Sequence, residues 1–299
     1  MKKALKIGII TLIIIVLIGF GAVTWFSNNI FNEMTKKRVE KNSSLIQTYA
    51  DEIDRIETIS SDGLKISSWR FKKENPTGIV IVLHGMDGQD ASSLLEFGKF
   101  FSENNYETFC LDMRAHGKSE GKKIGFGYKE VKDLEALLDW INSQSEYENK
   151  EIILYGISMG GATAINTAAE RDEVDKVISV SAFQSIEKTF LDYMRMDGVP
   201  EFVVQTFKPS IRLLTRLKYD SNPLQNAPIS KIRKVDKPIL IIHGDQDQQI
   251  LIEQAYNLKE ATGQNAELWV VKDRNHMVVT DILNPDYEWY RKRILEFIN

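Results

Sequence analysis

Two hydrophobic patterns divide the chain. Residues 7–26 form an uninterrupted apolar run without a single charge, whereas from residue 55 onward the apolar positions fall into short clusters separated by polar turns. The first run, coiled as a helix, would span about 30 Å, the hydrocarbon thickness of a bilayer. Lys2, Lys3 and Lys6 precede it and Trp25-Phe26 closes it, a basic flank and an aromatic end suited to a membrane interface. The competing reading is a cleaved signal peptide, but such segments have an apolar core of about 7–15 residues and end at a small-x-small site, whereas this run is longer and ends in Thr-Trp-Phe. The chain therefore reads as a basic flank (1–6), a transmembrane anchor (7–26) and a charged stalk or linker (27–54). A second basic cluster, Lys36-Lys37-Arg38, follows the span; the cluster nearer the terminus favours an N-terminus inside, with the remainder outside the cytoplasm.

Residues 55–299 alternate between strand and helix periods. The stretches 56–59 and 64–71, separated by Ser-Asp-Gly, predict an antiparallel start. The run "GIVIVL" at 78–83 is too short for a helix and apolar on both faces, as in a strand covered on both sides. Comparable runs recur at 106–111, 151–155, 176–180, 238–242 and 267–271, with helical spacing between them at 128–142 and 251–261. Such alternation implies right-handed crossovers and an α/β fold, a mostly parallel sheet flanked by helices. The interval between residues 180 and 238 is too long to be a bare loop and contains three helix-like stretches. It predicts a helical cap, about 183–235, inserted before the penultimate strand. Phe183, Phe190, Tyr193, Met194, Met196, Phe202 and Phe207 are its candidate pocket residues; each could equally anchor the cap.

Composition narrows the partners. A formal net charge of −4 without a basic stripe argues against nucleic acid. Cys110 is the single cysteine, lies in an apolar run and reads as a buried, inert thiol.

Chemistry gathers where strands should end, since ligands of parallel sheets lie at the carboxyl ends of strands. In "LYGISMGG" (154–161), Gly156 and Gly160 flank Ser158 at the junction of a strand and a helix, so the chain can turn sharply and present a hydroxyl. A helix-capping serine is the bland alternative. A nucleophilic serine needs a base oriented by an acid. His276 follows the last apolar strand, and "IHGDQD" supplies Asp245 and Asp247 after the one before; Asp273 is a third candidate acid. His84 and His243, each before a glycine, read as loop-shaping residues. His116 and Arg114 read as structural residues holding the turn around Asp112.

These segments together resemble the α/β-hydrolase fold of the esterase/lipase type. "VLHGMDG" is similar to that family's oxyanion segment, "LDMRAHGKSEG" to its D-x-R-x-x-G-x-S turn, "GISMGG" to its nucleophile elbow and "IHGDQD" to its acid loop. The resemblance covers about 55–299. It implies Ser158 as nucleophile, Asp247 as acid with Asp245 behind it, His276 as base, and the backbone N–H groups of Met86 and Met159 as oxyanion donors. The expected activity is cleavage of small or lipid-derived carboxylic esters through an acyl-enzyme. A thioesterase or peptidase of the same fold, and a non-catalytic anchored binding module, are the alternatives. No cofactor is expected, and no metal: Gly117-Lys118-Ser119 lacks the upstream glycine of a phosphate loop, position 112 being aspartate, and no H-E-x-x-H or C-x-x-C occurs.

Overall fold

The structure is a computed structural model that describes residues 2–35, 44–86, 89–219 and 221–299. The basic cluster 36–38 lies outside the described residues. Eight strands form one sheet: β1 (Ile53–Ile59), β2 (Lys65–Phe71), β3 (Gly78–Leu83), β4 (Tyr106–Asp112), β5 (Glu151–Ile157), β6 (Val174–Val180), β7 (Ile239–Gly244) and β8 (Ala266–Val271), in the order β1-β2-β4-β3-β5-β6-β7-β8. β2 is antiparallel to both β1 and β4, and every pairing from β4 through β8 is parallel.

The crossovers carry helices to both faces. β3 shows why: Ile79, Ile81 and Leu83 enter one apolar cluster, and Val80 and Val82 the other, because successive side chains point to opposite sides of a strand. On the second face Phe97 and Phe101 of α2 (Leu95–Glu103) pack beside Tyr290 and Ile294 of α8 (Glu288–Ile298). The first face is covered by α3 (Val131–Asn142), α4 (Met159–Ala168) and α7 (Glu253–Thr262). Cys110 is buried between Leu94 and the sheet, and burial pushes its thiol far above the ordinary range.

Between β6 and β7 the expected cap is built from α5 (Ile186–Met196) and α6 (Glu201–Tyr219), followed by short turns at Pro223–Asn226 and Pro228–Lys231. Ser185 caps α5, its hydroxyl accepting from Lys188 N–H at 3.0 Å.

The N-terminal segment departs from the expected stalk. One helix, α1 (Lys2–Thr35), runs through residue 26 without a break, and it is long and apolar enough to cross a membrane. Its last turns pack on the cap: Ser27, Phe31 and Thr35, four residues apart on one face, are all buried. Residues 27–35 are thus part of the folded domain rather than a free stalk. Their polar neighbours hide this in the sequence, because the burial is created by α6, far along the chain.

Candidate active site

Ser158 stands between β5 and α4 with φ 54° and ψ −114°, a conformation that costs a non-glycine residue energy and persists only where the surroundings enforce it. Here they do. Its N–H bonds to Val180 O at 2.7 Å, and the turn is so tight that a Cβ on Gly156 would sit 2.3 Å from the Gly160 carbonyl carbon. A Cβ on Gly160 would lie 2.2 Å from Leu83 O. The glycines therefore let β5, β3 and α4 close around the serine, and its side chain comes to line a cavity at the head of α4.

Parallel pairing of β7 with β8 brings the loops that follow them together. His276 Nδ1 lies 2.8 Å from Asp247 Oδ2. The same oxygen lies 3.1 Å from His243 Nε2, which is also 2.8 Å from Ile250 O, so the His243 proton sits on Nε2. Asp247 Oδ1 accepts from the N–H groups of Gln249 (2.8 Å) and Ile250 (2.9 Å). Burial alone would raise the pKa of this carboxyl, but the hydrogen bonds from His243, His276 and Ile250 outweigh it and hold the group well below the usual carboxylate range. His243, expected only to shape its loop, is a direct partner of Asp247; its i, i+4 spacing from Asp247 was the available signal.

The other candidate acids lie elsewhere. Asp245 is exposed and accepts from Asp273 N–H at 2.7 Å, while Asp273 accepts from the Gln246 amide at 3.1 Å. Neither contacts His276 by a hydrogen bond.

The segment after β3 is held by His84. Its Nδ1 donates to Gly85 O at 2.6 Å and its Nε2 accepts from Met113 N–H at 3.1 Å, which fixes the tautomer. Burial, followed by the neighbouring His116, drives its pKa down, so it is neutral. Gln89 Oε1 takes the N–H of Gly85 at 2.8 Å. Met86 follows and lines the cavity with Met159; Asp87 and Gly88 of the same motif lie outside the described residues. Arg114 is structural, as expected, pairing with Asp133 at 2.7 Å and Asp62 at 2.8 Å, and His116 Nδ1 donates to Arg114 O at 2.8 Å.

Ser158 and His276 open onto one cavity of about 670 Å³. Of the seven candidate pocket residues only Phe183, Phe190 and Tyr193 line it. Phe207 is buried against Phe26 and Phe190, Met194 packs on the core, and Met196 and Phe202 face outward. The missed walls include Phe126, Ile186, Ile250, Met277 and, from α1, Phe31 and Met34. Phe31 stacks on Phe190 with ring centroids 6.0 Å apart.

Comparison with known proteins agrees with this architecture. The chain is similar to the YqkD protein of Bacillus subtilis, 23% identical over 100% of this chain and 98% of that one. It is 30% identical to the yeast membrane protein YNL320W of Saccharomyces cerevisiae across 45% of this chain and 47% of that one. Among solved structures, an esterase of Pyrococcus furiosus superposes with a TM-score of 0.69 at 26% identity, covering 89% of this chain and 97% of the esterase. The family described as serine aminopeptidase S33 matches residues 74–231, from the approach to β3 through the elbow and most of the cap. With more than half of its length matched, and with the sheet and elbow that the family's fold requires, this chain belongs to the serine aminopeptidase S33 family of α/β-hydrolases.

Proposed function

We propose that this hydrolase cleaves carboxylic esters through an acyl-enzyme formed on Ser158. Ser158 Oγ attacks the ester carbonyl carbon while His276 takes the hydroxyl proton on Nε2. Asp247 holds His276 in the tautomer with Nδ1 protonated and stabilises the imidazolium that forms. The carbonyl oxygen, now negative, is received by the backbone N–H groups of Met86 and Met159, each contributing about 3 kcal/mol to the transition state. Collapse breaks the bond to the alkoxy group, which leaves with the proton from His276. Water then repeats the sequence on the acyl-enzyme and returns free Ser158.

The observation that carries this reading is the hydrogen bond between His276 and Asp247 beside a cavity onto which the strained Ser158 opens. The similarity to the Pyrococcus esterase supports it. The family description favours a second reading, aminopeptidase activity, which requires a carboxylate to receive the substrate ammonium. Among the described residues lining the cavity there is no aspartate or glutamate, and the walls are largely aromatic and aliphatic. An uncharged acyl group fits that lining better.

A fluorophosphonate probe tests the reading. Folded protein is expected to be labelled, with labelling lost in Ser158→Ala; unlabelled folded wild type would refute it and favour a binding module. We place α1 in the membrane with the hydrolase domain outside the cytoplasm, on the strength of the three lysines before the span. Protease added to intact cells is expected to remove the domain, and full protection would reverse the orientation.

A further inference from the structure

The helix that is apolar enough to cross a membrane also walls the cavity. α1 and α6 lie side by side: Thr24 Oγ1 is 2.9 Å from Ser210 Oγ, and Lys218 Nζ donates to Asn32 Oδ1 at 2.7 Å. Both contacts pair residues 186 apart in sequence, so the helices run parallel and in step. Beside these ties, Phe26 meets Phe207 of α6 edge-on at 6.1 Å, and Phe31 reaches Phe126, outside α6, at 6.1 Å. Phe31 and Met34 then line the space that also receives Ser158 and His276.

This register sets the depth of the cap. The uncharged run of α1 ends at Phe26, and Phe31 follows it by five residues, about 7.5 Å along the axis. The cavity wall thus stands at headgroup depth when the run fills the hydrocarbon. At the start of α6, before Pro209, Phe202 is 77% exposed. Trp25 is 68% exposed, and Tyr193 and Met196 of α5 also expose apolar surface. A rim of aromatic and apolar side chains around an apolar helix is the composition of a membrane interface. Lys122, Lys123, Lys129 and Lys218 share a hollow with Thr35 at the end of α1, together with Arg114, Asp62 and Glu120. Its cationic excess lies where lipid phosphates would be met.

We propose that the enzyme draws its substrate from the bilayer that holds α1: a lipid ester whose acyl chain passes along Phe31 and Met34 into the cavity beside Ser158, its headgroup staying at the lysine rim. The proposal rests on the ester-hydrolase reading and specifies its substrate class and point of entry. Each methylene received by the apolar cavity raises kcat/KM about fourfold until the cavity is filled.

The test uses the full chain reconstituted in phosphatidylcholine vesicles, with p-nitrophenyl palmitate and p-nitrophenyl butyrate as probes and fluorophosphonate labelling to count active sites. Wild type is expected to prefer palmitate. Met34→Trp, which fills the wall, is expected to lower the palmitate-to-butyrate ratio at least tenfold per labelled site, and Phe202→Asp, which disturbs seating outside the cavity, at least fivefold. Met34→Phe carries the same test should the tryptophan variant fail to fold. A ratio unchanged in a labelled Met34 variant overturns the proposal. Absence of labelling in folded wild type overturns instead the ester-hydrolase reading beneath it, so the two failures are distinguishable.

Discussion

Replacing Asp247 by asparagine tests the acid of the proposed triad. The Asp247 carboxylate receives four donors: two backbone N–H groups on Oδ1, and His276 Nδ1 at 2.8 Å and His243 Nε2 at 3.1 Å on Oδ2. An asparagine in the same rotamer keeps Oδ1 for the backbone and turns an NH2 toward two ring nitrogens that both need an acceptor. His276 then has to release its Nδ1 proton and carry it on Nε2, the atom required as base, so the expected loss in kcat is about 10⁴-fold. Asp245→Asn removes only a bond to Asp273 N–H in an exposed turn and is expected to change kcat by less than about threefold. Both are measured on a p-nitrophenyl ester at matched folded fraction. Because Asp247 is held below the usual carboxylate range, it stays ionised from about pH 5 upward, and the acid limb of the wild-type profile arises elsewhere. A ten-thousandfold loss in Asp245→Asn with activity kept in Asp247→Asn would refute the reasoning and move the acid two residues.

Gly160→Ala drives a Cβ to 2.2 Å from Leu83 O and 2.7 Å from His84 O, neither of which can yield without moving β3. The expected cost is about 3 kcal/mol, a fall of roughly 6–12 °C in Tm, and a variant melting within about 2 °C of wild type would show that the elbow is looser than described. Asp112 gives a pH signature of the opposite sign to Asp247. Burial, only partly offset by N–H groups of Lys118 and Ala91, pushes its carboxyl up to about 6 from 3.8. The folded state then holds the proton longer than the unfolded one, so this group's contribution falls as pH rises through 3.8 to 6, by about 3 kcal/mol in all. Urea melts between pH 4 and 7 are expected to show that slope in wild type and lose it in Asp112→Asn; equal slopes would place the pH dependence on other groups.

Much of the fold is local information. The doubly apolar run of β3, the glycines around Ser158 and the order of serine, acid and histidine are properties of short segments, because strand period, turn chemistry and helix spacing are set within a few residues. The cap was legible for the same reason, since a long interval must bury its own apolar stripe. Tertiary structure alone decided which neighbours met. Asp247 rather than Asp245 or Asp273 faces His276 because the β7–β8 register aims the two loops at each other. His243 reaches the same carboxylate through the turn that returns Ile250 to it. Residues 27–35 read as a charged stalk because helix α6, which buries their apolar face, lies far along the chain. Phe31 and Met34 became cavity walls only when α1 and α6 packed in step, a contact between distant residues that no local pattern records.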